Sequence, residues 1–530
     1  MRLARSACTL LAWTALAGLL APLPAQSAPK EIVGYYTSWS IYRRNYQVGE
    51  IPASMLTRLN YAFANVVDGR AVLGDPIADL QNFAKLTTLR LAHPNLKILL
   101  SVGGWTWSSG FSDAVLTPMA RQVFASSCVD LMVAHGFDGV DIDWEYPVSG
   151  GLPTNITRPA DKGNFTLFMA ELRRQLDLEG IRQNRTFLLT TTAPASPTII
   201  DNLEVAKIHP YVDTISLMAY ALHGPWNPGF DLTGFSSALY PDPRSLFAEP
   251  ARSLFNVAAA VKAYLDAEVP RQKLHLGVMF QGIGFAGVSA TASGLYGLYT
   301  GPATGTWGPV YFDYTDLEQN YVGKNGYQRY WHDAARVPWL YNPTAAVMIT
   351  YDDPRSIREK AWFTKTAGLG GAMFWELSGD RNKALLGALH AELANVVALR
   401  APVRELSLAA PARIDLLVES DAARAGRFYY VVGSLTGTAP GLSLPGGVLP
   451  IAFDQLTWMS IVSANSPLFP NTIGMLDAAG SARAGFNAVV LGPLPSVLAG
   501  MKLHFAAWVA QSSANLTGEP SNPVDVFFVR

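Results

Sequence analysis

The segment from Asp138 to Pro147 constrains this 530-residue chain more than any other, because it sets four carboxylates within eight positions among Val, Ile, Trp and Tyr. Its apolar residues predict a buried strand. Alternate side chains of a strand share a face, so Asp141, Asp143 and Glu145 project from one face at steps of roughly 6.5–7 Å. Asp138 has the opposite parity and is predicted to cap or structure the start of the strand.

Carboxyl groups stacked on an inward-facing surface cannot all be ionised without a large cost in repulsion and desolvation. At least one is therefore expected to hold a proton at neutral pH, beside an ionised neighbour. That combination is what acid-assisted bond cleavage needs. A solvated acidic loop and a cation site are the alternatives, but the apolar flanks favour burial and no His or Cys accompanies the acids. We expect neither a metal nor a cofactor.

The N-terminus has the layout of a secretory signal peptide over residues 1–28. Arg2 and Arg5 precede an apolar run over residues 7–20, and small residues and prolines follow. Cleavage is predicted within residues 25–28, which makes the mature protein secreted, either extracellular or periplasmic. An uncleaved membrane anchor is the alternative, although the run is short for a span. After cleavage, Cys128 would be the only cysteine in the mature protein, so no intrachain disulfide is expected.

Charge and composition limit the class of partner. The net charge is −1, which gives no electrostatic reason to bind nucleic acid or an anionic membrane. No segment after the N-terminal run is long and apolar enough to cross a bilayer. Hydrophobic residues make up 49% of the chain, enough for a sizeable core without disulfides. We expect a monomer that acts on a neutral ligand.

Residues 29–397 alternate short apolar strands with helical stretches, which predicts a parallel sheet. Eight strands are expected, the number that closes a (β/α)₈ barrel, also called a TIM barrel. A doubly wound open sheet is the alternative, but no Gly-rich phosphate loop follows a strand. The predicted strands are Glu31–Tyr36, Leu59–Val66, Lys97–Gly103, Gly136–Tyr146, Phe187–Ala195, Val212–Tyr220, Lys273–Phe280 and Gly371–Leu377.

Residues 282–351 are predicted to form a small α+β insertion within the barrel, because far more chain separates the last two strands than one crossover needs. Gly326–Tyr341 and Ala345–Tyr351 resemble extra strands, and Thr315–Asn320 resembles a short helix. Insertions on the C-terminal rim of such barrels usually form a wall beside the active site. A purely structural ornament is the alternative.

The composition changes in residues 398–530, where Gly, Pro, Ser and Thr separate short runs of alternating apolar and polar residues. This pattern predicts a separate all-β sandwich of unknown role, with carbohydrate binding, spacing, sorting and adhesion all open. Trp458 and Trp508 fall inside predicted strands, where packing is the expected role. The predicted strands are Arg413–Glu419, Arg427–Val432, Leu456–Val462, Lys502–Ala510 and Val524–Val529.

The ends of the barrel strands supply candidate ligand contacts, because such barrels keep their active sites there. Aromatic side chains end several of them, namely Trp105, Tyr220 and Trp375. Flat rings suit the apolar faces of pyranose sugars. Together with the acids they indicate glycoside cleavage. Two carboxyls on one strand lie on the same side of a scissile bond, whereas an enzymic nucleophile and its acid normally flank that bond. This indicates that the nucleophile is not one of these carboxyls.

Asp138-Gly-Val-Asp-Ile-Asp-Trp-Glu145 resembles the DxxDxDxE signature of glycoside hydrolase family 18, the chitinases. The resemblance extends over roughly residues 31–390. Its further motifs, in the family's order, are Val33-Gly-Tyr-Tyr36, Asn60-Tyr-Ala-Phe63, the SxGG at Ser101–Gly104, Met218-Ala-Tyr220, Tyr351-Asp-Asp-Pro and Gly371-Ala-Met-Phe-Trp-Glu-Leu377.

The resemblance implies cleavage of chitin or chitooligosaccharides, β-1,4-linked N-acetylglucosamine polymers, by a substrate-assisted route with retention. Glu145 would be the general acid and base, Asp143 would hold the acetamido group, and Asp141 would share the proton of Asp143. Tyr220 would hydrogen-bond the acetamido oxygen, and Trp375 would form the floor of the subsite. The other implied substrate-binding residues are Trp105, Tyr35, Phe63, Ser101, Met218 and Tyr146.

Two positions depart from the family pattern. Position 221 is Ala where the family usually has Asp, and Gln281-Gly-Ile283 stands where the family often has Tyr-Gly-Arg. Neither change touches the three acids, so an active enzyme is expected. Two other functions stay open: an endo-β-N-acetylglucosaminidase acting on N-glycans, and a chitin-binding lectin without turnover. The presence of Glu145 disfavours the lectin, and the insertion favours linear chitin over N-glycans.

Overall fold

The computed structural model describes residues 30–226, 231–394, 397–411, 413–420 and 424–529. The chain forms two compact units, Lys30–Leu393 and a C-terminal unit that begins at Ala394. The predicted signal peptide and its cleavage region lie outside the described residues. In the described ranges, no helix combines the length and the apolar character that a membrane span requires.

Eight parallel strands form a closed barrel in the first unit, because the first strand pairs with both the second and the eighth. This confirms the TIM barrel and excludes the open sheet. The fourth strand was predicted too long: it runs from Gly139 to Asp143, so Glu145 lies in the loop that follows. The barrel strands are Glu31–Thr37, Arg58–Val67, Lys97–Gly103, Gly139–Asp143, Leu188–Pro194, Thr214–Met218, Leu274–Met279 and Gly371–Trp375; Arg70–Leu73 pairs with the second.

Helices surround the barrel, and three of the longer ones begin at a polar cap followed by proline. Asp75, Thr117 and Asp353 each accept backbone N–H groups of the first turn, and a proline occupies the next position. The helices of this unit are Pro76–Ala92, Gly104–Trp107, Phe111–Ala114, Pro118–Ala134, Asp161–Gln183, Pro197–Ile200, Val205–Ile208, Ala251–Leu254, Val257–Asp266, Tyr314–Asp316, Pro354–Thr366 and Ala384–Leu393.

An antiparallel sheet separates the seventh and eighth barrel strands, with its own apolar core. The predicted single strand Gly326–Tyr341 is instead a hairpin, which turns through Arg336 in the left-handed region. The helix Tyr314–Asp316 continues as a π-helical turn over Leu317–Tyr321. The strands of this sheet are Gln281–Ala286, Gly301–Pro302, Tyr311–Asp313, Gln328–His332, Val337–Asn342 and Val347–Thr350.

The C-terminal unit has two main sheets that share one apolar core, to which Ile414 contributes from one sheet and Phe505 from the other. The predicted strand Leu456–Val462 is wrong: Gln455–Val462 is a helix, with Asp454 and Thr457 forming a capping box. The strands are Ala398–Arg400, Glu405–Ser407, Arg413–Glu419, Phe428–Ser434, Leu442–Leu444, Gly447–Leu449, Ile473–Met475, Ser481–Asn487, Lys502–Ala510, Gly518–Pro520 and Val524–Val529.

A buried ion pair lies where the chain passes from the insertion into the helix Pro354–Thr366. Lys360 is fully buried, and its ammonium donates to both oxygens of Asp352, at 2.5 and 2.6 Å, and to Ser237 at 2.8 Å. Burial lowers the pKa of Lys360, and Asp352 opposes that shift. Ser237 bonds to both partners and therefore ties the helix Pro354–Thr366 to the segment after the sixth strand.

Replacing Lys360 by Met should lower the free energy of unfolding of the barrel unit by about 3–5 kcal/mol, because the Asp352 carboxylate stays buried without its cation. Denaturant titration followed by tryptophan fluorescence measures this. Lys262→Met is the control, since Lys262 forms an exposed pair with Asp266 that is expected to contribute about 0.3–0.5 kcal/mol. Equal effects of the two substitutions would contradict the structural role of Lys360.

Candidate active site

The acidic ladder lies at the C-terminal end of the fourth barrel strand. Asp141 and Asp143 are strand residues on the inward face, 0% and 4% exposed, and Glu145 follows in the loop at 9% exposure. Trp144, between them, points outward and stacks on Phe111 at a ring distance of 5.2 Å. The alternation predicted for this segment therefore persists past the last strand residue and keeps all three carboxyls on the barrel side.

Three hydroxyl groups from three other strands surround the Asp141 carboxyl. Tyr35 and Ser101 donate to Oδ2 at 2.6 and 2.7 Å, and Thr190 donates to Oδ1 at 2.6 Å. Ser101 and Thr190 are the direct cross-strand partners of Asp141 in the parallel ladder. Strand register alone thus places two of the three donors, and the deepest acid is held in one orientation.

Asp143 lies one layer above and has a different partner, the hydroxyl of Thr192. Burial is the main cause that raises the pKa of Asp143 well above its usual range, and the negative charges of Glu145 and Asp141 raise it further. The Thr192 hydrogen bond opposes the shift without cancelling it. Among the described residues, Asp141 and Asp143 accept hydrogen bonds from different hydroxyl groups, while the charge of Asp141 raises the pKa of Asp143. Asp143 is therefore the group expected to hold a proton at neutral pH.

The backbone of Glu145 is fixed on both sides. Its N–H donates to Ser108 Oγ at 2.9 Å, and its carbonyl accepts from Asn155 Nδ2 at 2.8 Å. Burial raises the pKa of the Glu145 side chain to about 7, and a hydrogen bond from Tyr146 acts in the opposite direction. A carboxyl with a pKa near neutrality at the mouth of a barrel is suited to donate and then recover a proton.

Aromatic rings form a floor beside the acids. Trp375, at the end of the eighth strand, stacks on Phe63 at 5.8 Å with 16° between the planes, and Tyr35 lies 5.7 Å away. Trp39 extends this surface, 6.5 Å from Trp375 and 39% exposed. Met218 packs against the same cluster.

Tyr220 lies between the acids and the aromatic floor. It packs in the same cluster as Trp375, and the charges of all three carboxyls act on its phenol. Burial and the charges of Asp143, Glu145 and Asp141, in that order, raise the pKa of its phenol. Tyr220 therefore stays a neutral hydrogen-bond donor throughout the ordinary pH range.

Residues of the insertion approach the site from one side. The charge of Glu145 contributes to the raised pKa of Tyr311, which places this ring near the acid. Asp313 accepts from Arg44 at 2.6 Å and from Gln281 at 2.7 Å. A cavity of about 310 Å³ opens beside Asp313, lined by Arg44, Trp307, Ser378 and Arg381 among others. It adjoins Glu376, which Arg44 contacts at 3.4 Å, and none of the three acids lines it.

The two departures from the family pattern have structural consequences. Ala221 adopts a left-handed backbone conformation, φ 54°, and its N–H donates to Ser236 Oγ at 3.0 Å. Ile283 is fully buried in the apolar core of the insertion, while Gln281 uses its amide to hold Asp313. Neither position therefore presents a charged group to the site.

The structure separates the predicted ligand contacts into two groups. Tyr35, Phe63, Met218, Tyr220 and Trp375 form one cluster, to which the chain adds Trp107. Trp105 lies apart on the helix Gly104–Trp107, 49% exposed, and makes none of the ring–ring contacts found among the described residues. Its role in ligand binding stays a prediction.

Sequence reasoning missed four side chains at the site, namely Thr190, Thr192, Trp39 and Tyr311. The two threonines share a strand at an i, i+2 step beside the acidic strand, so their parity was the available signal. Trp39 lies two residues after the end of the first strand, where a site residue is expected. No signal in the sequence pointed to Tyr311. In the described ranges, no group of three His, Cys, Asp or Glu side chains is arranged to hold a metal ion.

The model of glycosyl hydrolases family 18 matches residues 31–380. The chain belongs to this family. Chitinase A1 of Niallia circulans is 43% identical over 422 residues, which cover 71% of this chain and 60% of that protein. The chain thus spans about three fifths of that relative's length.

Two solved structures show the same likeness. A family 18 N-acetylglucosaminidase from Paenibacillus barengoltzii aligns with a TM-score of 0.61 and 35% identity, over 69% of this chain and 100% of that one. Chitinase ChiA74 from Bacillus thuringiensis aligns with a TM-score of 0.66 and 30% identity, over 95% of this chain and 85% of that one. The predicted family is confirmed, and the second alignment extends into the C-terminal unit.

Tyr146→Phe should raise the pKa of Glu145 above its value of about 7, because the Tyr146 hydrogen bond lowers that pKa. Without the donor the carboxyl keeps its proton to higher pH. Titration of the Glu145 carboxyl by NMR of selectively labelled protein measures the shift. Tyr240→Phe is the control, and a Glu145 pKa that does not rise with Tyr146→Phe would contradict the role given to Tyr146.

Proposed function

We propose that this protein is a secreted chitinase that hydrolyses β-1,4-linked N-acetylglucosamine polymers by substrate-assisted catalysis with retention. The observation on which the proposal rests is the convergence of Asp141, Asp143 and Glu145 at the mouth of the barrel, with the Glu145 pKa raised to about 7. Family membership and the names of the relatives support the substrate class. Export rests on the signal-peptide pattern of residues 1–28.

Glu145 is assigned the role of general acid and base. Its carboxyl is the outermost of the three. Hydrogen bonds hold the backbone N–H and C=O of Glu145, so the point from which its side chain extends is fixed. A pKa near 7 leaves a substantial protonated fraction at neutral pH and a competent base after the proton is given up.

Asp143 and Tyr220 are assigned to the acetamido group of the sugar. Asp143 accepts the amide N–H through its carboxyl oxygen, and the neutral Tyr220 phenol donates to the amide carbonyl oxygen. These two bonds orient the carbonyl oxygen and leave one of its lone pairs free to attack the anomeric carbon. The substrate then supplies the nucleophile, which explains why all three acids lie on one side of the bond.

The aromatic floor is assigned to the sugar ring. The rings of Trp375 and Phe63 are nearly parallel, with Trp39 beside them at the solvent side. Stacking of the pyranose face on Trp375 fixes the ring over the acids, and the insertion supplies the adjacent wall through Tyr311. No cofactor is needed for this route, and the substrate is the only partner that the proposal requires.

Glu145→Gln should reduce kcat on chitin hexamer by about 10²–10⁴-fold while Kd stays nearly unchanged, because Gln keeps the shape but cannot transfer a proton. Turnover is followed by chromatography of the products, and Kd by calorimetry with the same oligomer. Glu268→Gln, at an exposed position, controls for the substitution itself. Near-full activity of Glu145→Gln would refute the assignment.

Products released early from the hexamer should carry the β-anomeric configuration, because two inversions at the anomeric carbon restore it. Time-resolved NMR reads the anomer, and the same samples give the cleavage position. An initial α-anomer would exclude participation by the acetamido group. The N-acetylglucosaminidase among the structural neighbours makes removal of single sugars the second candidate, and dominant monomer from the start would favour it.

A further inference from the structure

The barrel interior beneath the acids is polar, although branched apolar side chains usually fill such interiors. Alternate strands contribute to each interior layer, and the strand register brings four side chains to the level of the deepest acid. They come from the second, fourth, sixth and eighth strands and are Asn60, Asp141, Ser216 and Met373. All four are fully buried, at 0% exposure. Asn60 and Ser216 therefore face each other across the barrel axis, beside Asp141.

The polar atoms of Asn60 and Ser216 are not paired within the protein. Among the described residues, neither amide atom of Asn60 nor Oγ of Ser216 has a hydrogen-bond partner of good geometry. The Asn60 amide lies beside Tyr35, its cross-strand neighbour, and opposes the rise that burial causes in the pKa of the Tyr35 phenol. A fully buried amide or hydroxyl without a partner is costly. Groups of this kind are normally bonded to ordered water.

A buried cation and an imidazole close this interior from below. Arg58, two positions before Asn60, crosses the barrel, and its Nη2 contacts Thr214 Oγ1 at 2.9 Å and His275 Nδ1 at 3.2 Å. Thr214 is two positions before Ser216, so the Arg58 side chain passes under both polar groups. Arg58 and His275 are 2% and 1% exposed. Nε of Arg58 and Nε2 of His275 also have no hydrogen-bond partner in the part of the chain that the structure describes.

These groups line one region, which we call the inner polar site. Its members are Asn60, Ser216, Arg58 and His275.

The charges around the inner polar site favour a neutral ligand. Nη1 of Arg58 pairs with Glu31 Oε2 at 3.2 Å, which offsets the cation. Burial, followed by the charges of Arg58 and Lys30, lowers the pKa of His275 well below its usual range, so the imidazole is neutral. An anion would lie beside Asp141, and a cation beside Arg58. Water is neutral, small, and both donates and accepts hydrogen bonds.

The hydrogen-bonding roles at the base also match water. Arg58 donates to Nδ1 of His275, so the imidazole proton lies on Nε2, which is then a donor. That Nε2 lies 3.8 Å from Glu31 Oε2, too far for a direct hydrogen bond. A bridging water spans a gap of this size.

We propose that the inner polar site binds ordered water and that Asn60 is a positioning residue for Asp141. Water bonded to the Asn60 amide fixes it against the Tyr35 phenol, which donates to Asp141 Oδ2 at 2.6 Å. The acid is then supported from the layer around it as well as by its three hydroxyl donors. The effect on turnover rests on the proposed function, whereas the water site itself does not.

A crystal structure of the wild-type protein tests the site directly, because water held by several buried groups is ordered. Density for water is expected about 3 Å from the Asn60 amide and from Ser216 Oγ. An Asn60 amide without a water neighbour would overturn the proposal. Density for an ion heavier than water would also overturn it.

Asn60→Leu tests the positioning role, because leucine has nearly the same shape and cannot hold water. It should lower kcat on chitin hexamer about tenfold, since small displacements of acidic groups slow the chemical step. Kd for the hexamer, measured by calorimetry in a Glu145→Gln background, should change less than about twofold, because the sugar contacts lie above this layer. Asn60→Ser keeps a hydroxyl and leaves room for another water, so it should recover most of the turnover.

The control is Leu99→Met, a change of similar volume at a fully buried interior position one layer below Asn60. It should leave kcat within about twofold of wild type. A loss equal to that of Asn60→Leu would show that any interior change disturbs the acids, and would overturn the positioning role. Full activity of Asn60→Leu at undiminished stability would overturn it too, because an amide that holds nothing can be replaced by an apolar group without loss.

Ser216→Ala is the second variant and decides the matter if Asn60→Leu does not fold. It removes one hydroxyl and should lower kcat about twofold to threefold, with the water at that position displaced in its crystal structure. Wild-type kcat together with an unchanged water position would overturn the proposal.

The outcomes for the inner polar site and for the active site are distinct. Failure of the wild-type protein to cleave chitin hexamer would refute the proposed function and leave the water site to be decided by the crystal structure. Hexamer cleavage that is indifferent to Asn60→Leu would refute only the positioning role.

Discussion

Burial of three acidic side chains inside the barrel is the constraint on which the site depends. A carboxyl group buried in a barrel core is costly unless its oxygens are hydrogen-bonded, so its environment must supply donors. For Asp141 the donors are hydroxyls of Tyr35, Ser101 and Thr190, from three different strands. The parallel ladder fixes two of them, and a one-residue slip of either strand would turn its hydroxyl outward. The closed barrel prevents such a slip.

This arrangement gives the neighbouring acids different tasks. Asp143 has one hydroxyl partner and lies under the charge of Glu145, so burial and repulsion together raise its pKa. Glu145 lies nearer to solvent, and its pKa is raised by burial alone and lowered by Tyr146. The two groups titrate as a coupled pair. The depth of each acid along the segment therefore decides how it holds its proton. Asp143, the inner acid, keeps its proton, and Glu145, the outer acid, exchanges its proton readily.

Much of this could be predicted from the sequence, because the barrel strands and the acidic ladder have strong periodic signals. The strand at Gly139–Asp143 was predicted too long, since the alternation continues through Trp144 and Glu145 after the ladder hydrogen bonds end. Thr190 and Thr192 were missed because threonine is a common strand residue, and its hydroxyl has meaning only beside a known acid. The helix Gln455–Val462 was predicted as a strand because apolar side chains lie on both its buried and its exposed side, as Leu456 and Trp458 do, which hides the helical period.

The departures at positions 221 and 283 bear on how the site works, because both remove charge from the rim. In the family pattern an aspartate follows Tyr220, and a carboxylate there would add negative charge beside buried acids and raise their pKa values. Here Ala221 occupies that turn, and Ser236 holds its backbone N–H. The raised pKa of Glu145 then depends on burial rather than on a fourth acid. Enclosure of the site by the barrel, the aromatic floor and the insertion therefore sets how readily Glu145 releases its proton, and under the proposed function it also sets where the sugar lies.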